Sequence, residues 1–256
     1  MLENESIFVE PISKVLVNLG FCSARSVRNF IKNNQILLNS KRITDFSFPV
    51  QIEKDELCVN QKIIEKQNHI YIMLNKPEGY VCSHKSDRHP VVYDLISCVN
   101  TQFNLEKLGK IHSVGRLDCD SCGLLLLTTN GSFSHKITSP DFKIEKKYFV
   151  RLKNPVKESE KEEYKNIFKS GVVLPPEKKF LEQKAQPAFI DFISETECFV
   201  TICEGMFHQV RRMFLALKNE VVFLERFQIG GLTLDKNLLS GEFKFLSKNE
   251  IEKKLI

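Results

Sequence analysis

The 256-residue chain contains no tryptophan, so most of its aromatic packing falls to 20 phenylalanines, which bring apolar area without a polar handle. It also lacks a long apolar run: stretches such as Leu124–Leu127 are strand-sized, far short of the roughly 18 residues that a membrane-spanning helix requires. The N-terminus, MLENESIFVE, has no basic-then-apolar leader. The eight cysteines are therefore expected as reduced thiols of a cytoplasmic protein rather than a secreted disulfide framework. Acid is missing where base is concentrated. Between Pro11 and Ile43 there are six cations (Lys14, Arg25, Arg28, Lys32, Lys41, Arg42) and no carboxylate. The overall charge of +5 conceals this pattern, because the first 65 residues carry eight basic and eight acidic side chains and sum to zero. A hydrophobic fraction of 42% with 27% charged residues is globular composition. At this length two parts are expected, a small domain at 1–65 and a larger one at 66–256, joined near the polar stretch Glu65–His69.

Pro11 is placed to open a helix with Ile12, Val15, Leu16 and Leu19 at helical spacing and Gly20 to stop it. A second helix is expected from Ser23 or Ala24, with Val27, Phe30 and Ile31 inward and Arg25, Arg28 and Lys32 on the opposite face. Such a cationic trio is either a solvated surface or a phosphate-facing one, and the absence of acids favours the second. Ile36–Leu38, the turn at Asn39–Ser40–Lys41 and segments through Val59 read as short strands. Two helices, a basic turn and a small sheet, with Cys22–Arg25 and Ile36–Lys41, resemble an S4 (αL-like) RNA-binding module, which implies RNA contacts from Arg25, Arg28, Lys32 and Lys41. The chain departs from that pattern with Pro11-Ile12 in place of Arg-Leu and Asn39-Ser40 in place of Asn-Gly.

In the larger part, strands are expected at Ile70–Leu74, Leu124–Thr128, Lys147–Leu152, Ala188–Ile193 and Cys198–Glu204, and helices at Ser159–Lys169, Met206–Lys218 and Lys248–Lys254. Without a regular βαβ alternation the class is α+β. The segment Gly115-Arg116-Leu117-Asp118-Cys119-Asp120-Ser121-Cys122-Gly123 is a charged loop running straight into an uncharged strand. A carboxylate at the mouth of a buried strand is partly desolvated and becomes chemically useful beside a cation, although on spacing alone turn-making by Asp118 or Asp120 is as good a reading. Cys119 and Cys122 form a CxxC, but a structural zinc site needs about four ligands, and the chain has neither a second CxxC nor a close HxxxH, so no metal is expected.

Gly115-Arg116-Leu117-Asp118 with Ser121, Gly123 and the leucine run resembles the aspartate motif of pseudouridine synthases that modify ribosomal RNA. The likeness extends in order through Met73–Ser83, Ser134–Pro140, Lys146–Tyr148, Glu204–Met213 and Ile229–Leu232. It implies a mixed, mainly antiparallel central sheet flanked by helices around a catalytic cleft, and isomerisation of one uridine of small-subunit (16S) rRNA without a cofactor. Close relatives of that family act on large-subunit (23S) rRNA or transfer RNA, and the S4-like part alone would equally suit a non-enzymatic assembly protein. The resemblance makes Asp118 the catalytic group, as nucleophile or base, Arg211 its cationic partner and Tyr148 the ring against the target base. Arg116 would fill the gap left by the extruded nucleotide, and Arg212 would join the RNA contacts; Lys76, with Pro77 and Gly79, either shapes the cleft or touches RNA phosphate, a plain turn being nearly as good a reading. Met206 stands where a basic residue is expected. The implied partner is ribosomal RNA, naked or in a partly assembled subunit; a monomer is expected, with no membrane partner.

Overall fold

The computed structural model describes residues 9–19, 21–51, 54–64, 69–97 and 111–255. Its described residues divide into two compact units, the first made of those up to His69 and the second of those from Ile70 onward. Gly20, expected to stop the first helix, and residues 65–68 of the expected linker lie outside the described residues.

In the first unit, β1 (Glu10–Pro11) leads into α1 (Ile12–Asn18), and Pro11, with φ −59°, occupies the N-cap. After α2 (Val27–Asn33) come β2 (Ile36–Leu38), β3 (Lys41–Arg42), β4 (Pro49–Val50), β5 (Leu57–Val59) and β6 (Lys62–Ile63). Strand β4 pairs with β1, and the others form an antiparallel sheet in the order β3-β2-β5-β6. Ile12, Val15, Leu16, Val27, Ile31, Ile36, Leu38, Leu57 and Val59 make one core, with Phe30 and Leu19 packed against it. Asn39 and Ser40 both have positive φ, 49° and 65°, as a two-residue hairpin turn requires. The side chain of Asn39 anchors that turn by donating to Asp55 Oδ1 at 2.7 Å and accepting from Glu56 N at 2.8 Å.

Helix α2 starts later than its sequence suggests. Ser23 and Ser26 exchange backbone-to-hydroxyl hydrogen bonds of 3.0 and 3.2 Å and close a turn of their own, so Arg25 precedes the helix and only Arg28 and Lys32 lie on it. All three, and Lys41, are exposed. The guanidinium of Arg28 sits 4.2 Å above the ring of Phe46.

The second unit runs β7 (Tyr71–Lys76), β8 (His112–Val114), β9 (Cys122–Thr128), α3 (Gly131–Thr138), β10 (Lys146–Leu152), α4 (Glu158–Ser170), β11 (Val173–Leu174), β12 (Gln183–Lys184), β13 (Phe189–Phe192), β14 (Glu197–Ile202), α5 (Gln209–Ala216), β15 (Val221–Ile229), β16 (Leu232–Thr233), β17 (Phe243–Phe245) and α6 (Lys248–Leu255). Its main sheet has the order β13-β14-β10-β15-β9-β7-β17, with β8 on β9 and β16 on β15. Among the described pairs in this sheet only β15 and β9 run parallel, which makes it mixed and mainly antiparallel. Leu124–Leu127 of β9 are buried on both faces, as a run without polar alternation demands. One face packs Leu124 and Leu126 with Phe133 and Ile137 of α3 and Ile251 and Leu255 of α6. Gly123 is required where β9 meets β15: its φ is +96°, and a Cβ there would collide with the carbonyl oxygen of Arg226.

Helix α5 begins at Gln209, three residues after the expected start at Met206. His208 is left-handed (φ 46°) and interrupts the ladder, while the Gln209 side chain takes the hydrogen bond of Met206 N at 2.9 Å.

Candidate active site

The loop that joins β8 to β9 is held from three directions. The ammonium of Lys76, at the end of β7, is completely buried and donates to the carbonyl oxygens of Asp118 (3.0 Å), Ser121 (2.7 Å) and Pro77 (3.0 Å). Gly79 N donates to Cys119 O at 2.7 Å, and the Cys82 thiol lies 3.4 Å from Leu117 O. From α5, Arg211 donates to Asp120 O at 2.8 Å and to Ser121 Oγ at 3.3 Å. Backbone constrained in this way leaves the Asp118 side chain little freedom of position, and its carboxylate faces a cavity of about 240 Å³.

The loop Gly115–Asp118 and Ser121 line one side of that cavity. The lining also includes Lys146 and Tyr148 of β10, Leu224, Arg226 and Ile229 of β15, and the turn Glu204–Gln209 that leads into α5. Tyr148 is placed by strand alternation: Lys146, Tyr148, Val150 and Leu152 are the buried positions of β10. Arg226 donates from Nε to Leu124 O at 2.8 Å, and its buried Nη2 has no hydrogen-bond partner among the described residues. Glu204, also buried, accepts from Gln186 N and Gln209 Nε2, both at 2.7 Å. Burial, together with nearby Arg226, pulls the Lys146 ammonium down to about 8.

Burial pushes the Asp118 carboxyl above its ordinary range, and Asp120 adds to that, while His208, Arg211 and Lys76 pull the other way. Asp118 Oδ1 is 3.6 Å from His208 Nε2, and the opposite ring nitrogen, Nδ1, is 2.8 Å from Glu177 Oε1. Arg211 does not pair directly with Asp118 as expected. Its guanidinium forms an ion pair with Asp120 Oδ1 at 3.1 Å and donates to Val221 O at 2.9 Å, so it acts on Asp118 only through space. Two further expectations are corrected. Lys76 has no exposed surface for phosphate, because all three of its ammonium bonds go to backbone carbonyls. Arg212 is 1% exposed and donates to Pro175 O, Phe207 O and Leu181 O, pinning the 175–181 loop against α5. Arg116 is exposed at the cavity rim. Of the CxxC pair, Cys122 lies 3.7 Å from Leu224 O and its thiol is pushed up to about 12 by burial.

Sequence reasoning missed His208, Glu177, Lys146 and Arg226 as site residues. His208, Lys146 and the Leu224–Leu232 region carry a signal, since they fall in or beside the quoted motifs. Glu177 carries none, because it reaches the site only through the fold of its loop.

The mixed sheet brings a clamped aspartate loop and a tyrosine to one small cavity, and comparison with known proteins gives the class of protein this arrangement belongs to. The family model described as RNA pseudouridylate synthase matches residues 70–216, and that of the S4 domain matches residues 10–57. The chain belongs to the RNA pseudouridylate synthase family and is a pseudouridine synthase with an N-terminal S4 domain. It is 36% identical to ribosomal small subunit pseudouridine synthase A of Haemophilus influenzae over 92% of this chain and 95% of that one. Its identity to the protein of the same name from Escherichia coli K12 is 39%, over 86% and 89% of the two chains. A crystal structure of a pseudouridylate synthase superposes with a TM-score of 0.64 at 35% identity, covering 96% of this chain and 100% of the other.

Proposed function

We propose that the chain converts a single uridine of small-subunit (16S) rRNA to pseudouridine, residues 66–256 carrying the chemistry and residues 1–65 helping to hold the RNA. The observation that carries this reading is the Asp118 carboxylate, carried on a clamped backbone loop, at a cavity of about 240 Å³ that Tyr148 also lines. That space is below the roughly 300–1,000 Å³ of a drug-sized ligand site and suits one extruded nucleoside. The names borne by the relatives supply the target class. Asp118 either bonds to C1′ as N1–C1′ breaks and is displaced when C5 bonds to C1′, or removes a sugar proton as N1 leaves and returns it when C5 adds. The uracil turns in between, and as C5 joins C1′ the C5 proton is lost and N1 takes one up, so the product is an isomer of the substrate. The ring of Tyr148 supports the base. Flipping a uridine out of a stack costs a few kcal/mol, which Arg116 at the rim offsets by occupying the vacated place. None of these steps requires a cofactor.

Carbodiimide mapping of rRNA and tRNA from cells with and without the gene tests both reaction and target. One 16S position is expected to lose its signal when the gene is deleted; a lost signal in 23S rRNA or tRNA instead would move the target to that RNA. Tritium release from C5-labelled 16S rRNA, naked and in assembly intermediates, then identifies the form that serves as substrate.

The exposed cations Arg25, Arg28, Lys32 and Lys41 form the RNA-facing surface of the S4 unit. Changing Arg25, Arg28 and Lys32 together to Ala is expected to weaken RNA binding and to flatten the dependence of log K on log salt by about 0.7–0.9 per lost phosphate contact. An unchanged slope in a filter-binding titration would assign RNA contact to the second unit alone.

A further inference from the structure

The 175–181 loop brings a further carboxylate, that of Glu177, to the outer side of the His208 ring by a route unrelated to the family motifs. Glu177 and Phe180 exchange backbone hydrogen bonds, both 2.9 Å, and tighten the loop around Lys178, which is left-handed. Buried Arg212 fixes its two ends through Pro175 O (2.9 Å) and Leu181 O (3.1 Å), and the Phe180 ring stacks on Phe207 at 4.3 Å. Phe207 in turn stacks on the His208 ring at 3.8 Å. The imidazole is thus held by a stacked aromatic, by its own left-handed backbone and by Glu177 at Nδ1, with Nε2 directed at Asp118.

We propose that Glu177 and His208 are positioning residues for the reaction: Glu177 fixes the imidazole, and the imidazole, when charged, holds the Asp118 carboxylate ionised in its partly desolvated place. This rests on the reading of Asp118 as the reacting carboxylate. An imidazolium donates at both nitrogens and satisfies both carboxylates, whereas a neutral ring satisfies one, and Glu177 at 2.8 Å is the closer. The other charged or titratable groups facing the pair are Asp120 on the Asp118 loop, Arg211 on α5, Lys76 on β7, Lys146 and Tyr148 on β10, Arg226 on β15, Glu204 before α5, Arg116 at the rim and Lys178 beside Phe207. Of these, Arg211 and Lys76 are committed to backbone carbonyls, and Arg211 also to Asp120, and among the described residues His208 is the basic side chain that comes within 4 Å of the carboxylate itself.

The sign follows directly. A carboxylate that loses a neighbouring cation needs a higher pH to ionise. In the pH profile of kcat/KM for tritium release, His208→Gln is expected to move the acidic limb up by about one pH unit, and Glu177→Gln to move it the same way by less. If Glu177 acts only through the ring, the double variant has the limb of His208→Gln. A limb that stays in place in both single variants, or a Glu177→Gln shift that persists undiminished in the His208→Gln background, overturns the proposal. Should His208→Gln fail to fold, Glu177→Gln decides alone. Activity surviving in Asp118→Asn would remove the underlying reading; an inactive Asp118→Asn with an immobile limb removes the relay alone.

Discussion

Asp118→Asn is expected to lower kcat/KM for pseudouridine formation by at least about 10³-fold, the order lost when a reacting nucleophile or base is neutralised. Affinity for the RNA is expected to stay within about threefold of wild type. The side chain is one of many groups lining the cavity, and a carboxylate supplies none of the cationic phosphate contacts that dominate RNA affinity in general. Folding is not expected to suffer. Because the folded state holds the Asp118 carboxyl above its unfolded range, ionising it costs stability: the protein gains nothing from the charge, and stability from this residue falls as pH rises from the unfolded towards the folded value. An amide carries no such cost, so the variant at pH 7 is expected to unfold at a denaturant midpoint no lower than wild type. Tritium release, filter binding and urea unfolding on the same preparation check the three statements. Undiminished release would end the assignment, and loss of release together with a lowered midpoint would mean that the loop had been damaged rather than the chemistry.

Lys76→Met is the second large effect and separates two roles for that residue. The thioether approximates the length of the lysine stem but leaves the carbonyls of Pro77, Asp118 and Ser121 without their donor in a buried position. Each stranded acceptor costs about 1–3 kcal/mol, offset in part because an ammonium no longer has to be desolvated, and a net loss of about 3 kcal/mol is expected. Without the clamp, Asp118 is free to shift, and a displacement of about 1 Å is worth about 10²-fold in rate. Activity is therefore expected to fall about 10²-fold or more, while the salt slope of RNA binding is unchanged. A phosphate-contacting lysine would give the opposite pattern: a slope reduced by about 0.7–0.9, with stability intact.

The same lysine illustrates what could be read without coordinates. In Met73–Gly79 the sequence displays a buried strand followed by a turn, and Lys76 was expected to shape the cleft or touch phosphate. Both are ordinary for a lysine beside Pro77. Only the return of the Gly115–Ser121 loop against the end of β7 adds two carbonyls, those of Asp118 and Ser121, to that of neighbouring Pro77 around one ammonium. Arg212 is parallel. Next to Arg211 in a helix it lies near the margin of the apolar stripe, and the loop that buries it is fixed more than thirty positions earlier in the chain, at Pro175.

The sequence by itself determined the order of units, the α+β class, the buried strand β9, the aspartate loop that leads into it and the acid-free cationic stretch of the S4 domain. These are legible because each rests on composition, periodicity or local order along a contiguous segment. What the tertiary structure decided is which charges meet. It pairs Arg211 with Asp120 rather than Asp118, turns Lys76 and Arg212 inward, and directs His208, held by Glu177, at the Asp118 carboxylate. The physical reason is that a side chain's charge says nothing of direction or burial: both are set by backbone that arrives from distant segments, at β7, the 175–181 loop and the left-handed turn before α5.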